Sequence, residues 1–249
     1  MDAKTAVELM PISAEAVHCG FAAQSIRPIA AQRKQAASDL DWFEILIRPH
    51  GRYRGWSPER FIERLYLERA PHLTDIEVLE RAAAWALLRQ TPTRISVNSH
   101  PQSLIHADFL RAVMQAQGEL REAGHSLCLE LVEYGHCDDR ERLIGHARLL
   151  REHGVLIALD DFGSRINCFD LCAAGVVDLL KIDLRLINAL EDNRNQQAVV
   201  QSILTLGLGL GASVIAEGIE TQSQLDLLRQ LGADYAQGFL FHRPEALEH

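Results

Sequence analysis

Apolar runs of strand length recur along the chain at about 26–30, 42–48, 94–98, 127–131, 155–160, 178–182, 212–216 and 234–237. Between the later runs lie stretches whose apolar residues fall at helical spacing, over 58–70, 75–90, 104–123, 138–153, 168–174, 193–208 and 221–231. Strand followed by helix, repeated, predicts parallel pairing through crossover helices. The first two runs are separated only by the polar stretch AQRKQAASDLD at 31–41, too short for such a crossover, so they are expected to pair antiparallel. The predicted fold class is α/β, a TIM-like (β/α)8 barrel with an irregular, antiparallel first strand.

Asp75 and Gly154 read as helix punctuation, and Thr221 followed by Gln224 is a capping-box pattern ahead of LDLL. Residues 1–24 are alanine-rich with weak periodicity and are expected to form a docking helix or a linker remnant. That leaves 25–246 as the barrel and Leu247–His249 as the stub of a purification tag.

A length of 249 residues with 47% apolar content suits one barrel domain. The formal net charge of −9 disfavours a nucleic-acid polymer or an anionic membrane as partner, while a small anionic ligand stays open if metal ions carry the positive charge. Five cysteines without a CxxC pair read as free thiols of a reducing compartment; Cys168 and Cys172 are four apart, and two core thiols explain them better than a metal pair. No stretch resembles a signal peptide or membrane span, so the expected location is the cytoplasm.

The chemistry sits where the apolar runs stop. FEILIR (43–48), ISVN (95–98), LCLELVE (127–133), IALDDFG (157–163), LLKID (179–183) and VIAEGIET (214–221) each place an acid or an amide where the apolar run stops. Loops after barrel strands build the active site, so Asn98, Glu130, Asp160, Lys181 and Glu217 should face one mouth. Converging anions need cations to neutralise them. Adjacent Asp160 and Asp161 can bridge two ions, and a two-metal centre with ions roughly 3.5–4 Å apart serves in-line displacement at phosphorus. Oxygen ligands without histidine or cysteine favour Mg²⁺ or Mn²⁺ over zinc.

Lys181 can orient or deprotonate a nucleophile there, or it can form a structural salt bridge with Asp183 or a barrel carboxylate. Glu133 and Glu220 read equally well as helix N-terminal anions. Asn98 alone can instead satisfy a loop backbone. Alternation puts Glu44, Leu46 and Arg48 on one strand face, where a guanidinium can fork onto phosphate. The histidines lack ligand spacing, and Trp42, Trp56 and Trp85 read as packing residues.

Taken in order, EIL at 44–46, VN at 97–98, ELVE at 130–133, DDFG at 160–163, KID at 181–183, AEGIE at 216–220 and QGFLFHRP at 237–244 resemble the EAL domain family of cyclic di-GMP phosphodiesterases. The resemblance runs from Arg27-Pro28-Ile29 to Arg243-Pro244. It implies metal ligation by Glu44, Asn98, Glu130, Asp160, Asp161 and Glu217, with Lys181 and Gln237 holding the attacking water. Glu133 would brace the loop after DDFG, Leu46 and Arg48 would contact substrate, and Asp183, Glu220 and Pro244 would line the mouth. It further implies Mg²⁺- or Mn²⁺-dependent hydrolysis of cyclic di-GMP to linear diguanylate, a homodimer, and a sensory or GGDEF domain in the full-length protein.

The chain departs from the family pattern at four places: EIL replaces EAL, Arg27 stands for the glutamine before Pro-Ile, Val132 stands for a threonine, and Ser164–Cys168 replaces a Thr-Gly-Tyr-Ser-Ser pattern. The loop change bears on activity and on dimer geometry. Two other readings compete with turnover: a catalytically weak cyclic di-GMP receptor or protein-interaction module, and a hydrolase of another phosphodiester.

Overall fold

The computed structural model of the chain describes residues 19–30, 40–132, 137–163 and 169–247. Its strands are β1 (Cys19–Ser25), β2 (Arg27–Pro28), β3 (Asp41–Pro49), β4 (Thr93–Ser99), β5 (Ser126–Val132), β6 (Leu156–Phe162), β7 (Leu179–Ile182), β8 (Ser213–Ala216), β9 (Tyr235–Ala236) and β10 (Glu245–Ala246). Helices α1 (Pro58–Glu68), α2 (Pro71–Leu87), α3 (Pro101–Leu104), α4 (Ala107–Glu122), α5 (Arg140–Glu152), α6 (Phe169–Ala173), α7 (Leu184–Ile187), α8 (Arg194–Leu210) and α9 (Gln222–Leu231) fill the intervals.

Strands β3 to β9 pair in parallel in sequence order. Closure comes from β1 and β2, which are one extended segment interrupted at Ile26: β1 pairs antiparallel with β3, and β2 pairs antiparallel with β9. The result is the expected α/β, TIM-like barrel with an antiparallel start, its apolar helix faces buried against the outside of the sheet.

Three local expectations are corrected. Residues 19–24 are neither helix nor linker: they form most of β1, paired with β3 on one side and with β10 on the other. CGFAAQS hides its strand character because its alanines and glycine have low β-propensity, yet all but Gly20 are buried in the strand. The antiparallel partner of β3 is therefore β1, while Arg27 and Pro28 of the run expected at 26–30 pair instead with β9. Asp75 is not a helix start, since α2 begins at Pro71 and Asp75 is buried inside it, accepting from Ser103 Oγ at 2.6 Å, Tyr66 Oη at 2.7 Å and the His100 N–H at 2.9 Å.

Other signals translate directly. Thr221 and Gln224 form the capping box of α9, and Gly154 follows α5 with φ 87°. Leu247, expected to be tag-like, donates its N–H to Phe21 O at 2.9 Å and so extends the β10 contact with β1. Among the described residues no helix is long and apolar enough to cross a membrane.

Candidate metal centre at the barrel mouth

The barrel interior is layered. Ile26, Trp42, Cys128, Ala158, Leu179 and Ile215 pack together as an apolar floor, with Tyr235 against them; Ser96 joins through a hydrogen bond from Trp42 Nε1 at 3.0 Å. Side chains two apart on a strand share a face. Two residues above each floor position, toward the mouth, stand Gln24, Glu44, Asn98, Glu130, Asp160, Lys181, Glu217 and Gln237, one from each wall segment of the barrel. The floor is the dry base that positions this polar ring and excludes water from beneath it.

Asp160 and Asp161 would point to opposite faces of a regular strand. The β6–β7 register shifts between Leu159 and Phe162, and Asp161 has φ 53°, the sole positive φ among described non-glycine residues. This bulge turns both carboxylates toward the mouth, and aspartate is among the few residues that tolerate the conformation. Backbone strain of this kind collects at functional sites. Carboxylate oxygens of Asp160, Asp161 and Glu217 lie within 4.8 Å of one another, close enough to share a cation.

Lys181 sits at the centre of the ring, its side chain 1% exposed, with Nζ 2.5 Å from Glu130, 2.7 Å from Glu217, 2.8 Å from Asp160 and 3.5 Å from Glu44. Burial alone would lower the lysine pKa, but Asp160, Glu130, Glu217 and Glu44 carry it well above its ordinary value. So surrounded, Lys181 favours its ammonium form, a donor that can orient a nucleophile. Burial, opposed by Lys181, pushes Glu130 up to about 8 and Glu217 well above the carboxylate range. Burial, reinforced by Asp160 and Asp183, raises Asp161 to about 6. Glu44 goes the other way: burial raises it, and Lys181 with the amides of Gln237 and Asn98 brings it below its usual value.

Those amides form a directional chain. Asn98 Nδ2 donates to Glu44 Oε1 at 2.8 Å, and Gln237 Nε2 donates to Glu44 Oε2 at 2.6 Å. With the nitrogens committed, Asn98 Oδ1, Glu130 Oε1 and Gln237 Oε1 are left as buried oxygens without a hydrogen-bond partner. Oxygen acceptors short of donors, beside a carboxylate triad, match hard divalent cations. The donor set therefore fits a divalent cation that prefers oxygen ligands.

A tight backbone crossing joins the last two ring members. Ile219 N–H donates to Gln237 O at 3.0 Å and Leu240 N–H to Ile219 O at 2.9 Å. A Cβ on Gly238 would stand 2.2 Å from the Ile219 N and O, so only glycine lets the segment after Gln237 close on the one after Glu217.

The remaining expected residues are placed as follows. Leu46 and Arg48 rise from Glu44 on the same face of β3, both half-buried, with Arg48 near enough for the Glu44 carboxylate to offset part of its burial. Asp183 is buried at the start of α7, accepts from Arg185 N at 2.7 Å, and bears electrostatically on Asp161. Glu220 is exposed ahead of α9, its N–H donating to Gln224 Oε1 at 2.9 Å. Pro244 is half-buried just before β10. Glu133 and the loop 164–168 lie outside the described residues.

Gln24 was missed because its segment did not read as a strand. Arg27, which the motif places at the glutamine position, is exposed and pairs with Ala236 away from the ring, whereas Gln24 faces Glu44 across the β1–β3 ladder. The available signal was a buried-type amide two residues before Ile26 in an otherwise apolar heptapeptide.

Residues 30–244 match the model of the EAL domain family. The chain belongs to the EAL family. Among curated relatives of this EAL domain, it is 30% identical to the cyclic di-GMP phosphodiesterase PdeB of Shewanella oneidensis over 90% of its own length. It is 27% identical to the probable cyclic di-GMP phosphodiesterase PdeA of Escherichia coli over 77% of its length. It spans only 26% and 27% of those two proteins. Among solved structures, the EAL domain resembles the PaMucR phosphodiesterase in complex with c-di-GMP at 25% identity and TM-score 0.74, covering 92% of this chain and 97% of that one. Klebsiella pneumoniae BlrP1, solved as a manganese and cy-diGMP complex, gives 28% identity and TM-score 0.72 over 95% of this chain and 58% of that one.

Proposed function

We propose that this EAL domain is a metal-dependent phosphodiesterase that hydrolyses cyclic di-GMP to linear diguanylate. The observation that carries the reading is the eight-membered polar ring, in which five barrel strands direct carboxylates or an amide at one point around Lys181. A module relieved of turnover has no physical need to hold so many anions together. The named activities of the relatives and the manganese complex of BlrP1 support the same reading.

In this proposal Glu44, Asn98, Glu130, Asp160, Asp161 and Glu217 hold two Mg²⁺ or Mn²⁺ ions, with Glu217 also bordering the reacting atoms. The ions supply Lewis acidity toward the phosphoryl oxygens and water. Lys181 donates to the attacking water and Gln237 Oε1 accepts from it, which fixes the direction of its lone pair. Arg48 forks onto the phosphate and Leu46 packs against the substrate. Asp183, Glu220 and Pro244 border the entrance, and Glu133 braces the loop that follows Gly163. The working unit is a homodimer in the cytoplasm, joined in the full-length protein to a sensory or GGDEF domain.

Incubation of the purified protein with cyclic di-GMP and Mg²⁺ or Mn²⁺, followed by chromatography, tests this directly. Linear diguanylate is the expected product. Tight binding of cyclic di-GMP without product under either metal would assign the domain as a receptor.

A further inference from the structure

Gln24 is the one ring member with no part in the chemistry above. Its side chain is buried, and its two polar atoms make two specific contacts: Nε2 donates to His242 O at 3.0 Å, and Oε1 accepts from Gln237 Nε2 at 3.1 Å. We propose that Gln24 is a positioning residue for the hydrolytic centre, holding the Gln237 amide in the single orientation that keeps Gln237 Oε1 a free acceptor.

The direction of the chain follows from donor chemistry. A backbone carbonyl only accepts, so His242 O compels Gln24 to turn Nε2 toward it and Oε1 toward Gln237. Gln237 then meets two acceptors, Gln24 Oε1 and Glu44 Oε2 at 2.6 Å, and spends both N–H groups on them. A flipped Gln237 would set its oxygen against both. Its Oε1 thus stays buried and without a donor, available to a water beside the cations. Without Gln24 one of the two constraints is gone, and the amide is free to rotate about its single remaining bond to Glu44. Because His242 lies in the segment leading to β10, the same chain ties that segment to the centre.

The test is a double-mutant cycle on the intact protein: Gln24→Met, which keeps length but loses both hydrogen bonds, Gln237→Leu, and the two combined. Mn²⁺ affinity is read by paramagnetic resonance titration, and kcat and KM are read on cyclic di-GMP, the kinetic arm resting on the function proposed above. Gln24→Met should weaken Mn²⁺ binding and lower kcat, each roughly tenfold, at unchanged KM. In the Gln237→Leu background it should change neither quantity further. Wild-type Mn²⁺ affinity in Gln24→Met, or an equal loss in both backgrounds, would overturn the assignment. If the wild type binds Mn²⁺ but leaves cyclic di-GMP intact, the functional reading fails while the Mn²⁺ cycle still decides the role of Gln24. Should Gln24→Met not fold, Gln24→Glu keeps an acceptor toward Gln237 and loses the donor to His242. Its smaller loss of Mn²⁺ affinity should likewise vanish in the Gln237→Leu background, and a loss that persists there refutes the role.

Discussion

Lys181 Nζ lies 2.5 Å from Glu130 Oε2, and both side chains are buried at the axis of the barrel. This pair neutralises part of an acidic ring that would otherwise repel itself. Removing one partner of a buried ion pair costs about 3–5 kcal/mol. Lys181→Met should therefore lower Tm in metal-free buffer, recover part of the loss when Mn²⁺ is added, and show no turnover. Thermal melts with and without Mn²⁺ check this; equal melting of variant and wild type in chelator would contradict it.

Protons compete with metal in the same ring. Glu130 is pushed up to about 8 and Asp161 to about 6, chiefly by burial. Both bind protons in the folded metal-free protein at a pH where the unfolded chain does not, so these two groups withdraw stability as pH rises from about 4, the Asp161 part gone by about 6 and the Glu130 part by about 8. Cations need the ionised forms, so Mn²⁺ affinity should climb across that window and its binding should release protons. Calorimetric titration in buffers of different ionisation enthalpy measures both effects, and a pH-independent affinity would argue against the assigned ligands.

Asp75 stabilises the approach to the ring from outside. It fixes the backbone just after Asn98 by accepting from the His100 N–H, and it joins Tyr66 to Ser103. Asp75→Ala leaves three donors without their acceptor and should cost about 2–3 kcal/mol. Urea unfolding with an unchanged slope and a lower midpoint is the expected result.

Gly238 allows no side chain. A methyl group there would meet the Ile219 backbone at 2.2 Å and part the segments that carry Glu217 and Gln237. Gly238→Ala should lose about 3 kcal/mol or more and also weaken Mn²⁺ binding, whereas substitution of exposed Gly209, with open space beside it, should do neither. Parallel melts and Mn²⁺ titrations of the two variants separate these outcomes.

Most of the ring was legible because its members stand where apolar strands stop, and alternation keeps them on the face of the strand that turns inward. Lys181 and Glu217 were visible both as strand-end polar residues and within the KID and AEGIE motifs. Asp161 was visible as a pair with Asp160, but the bulge that turns both toward one mouth depends on tertiary pairing with β7 and has no local signature. Gln24 was hidden because its strand is rich in alanine and glycine, residues of low β-propensity, and is held as a strand by pairing on both sides. Asp75 looked like a cap because aspartate so often is one, and its real partners lie on two other segments, Tyr66 on α1 and His100 and Ser103 at α3. The salt-bridge reading of Lys181 named a barrel carboxylate, but the four carboxylates whose pull outweighs desolvation converge only in three dimensions.

The central claim is that the ring around Lys181 hydrolyses one phosphodiester of cyclic di-GMP with divalent metal. Its most direct test is single-turnover conversion of cyclic di-GMP by the purified protein in Mn²⁺, beside Glu44→Gln under the same conditions. The account predicts linear diguanylate from the wild type and none from Glu44→Gln; undiminished cyclic di-GMP with the wild type at saturating Mn²⁺, or equal product from both proteins, would contradict it.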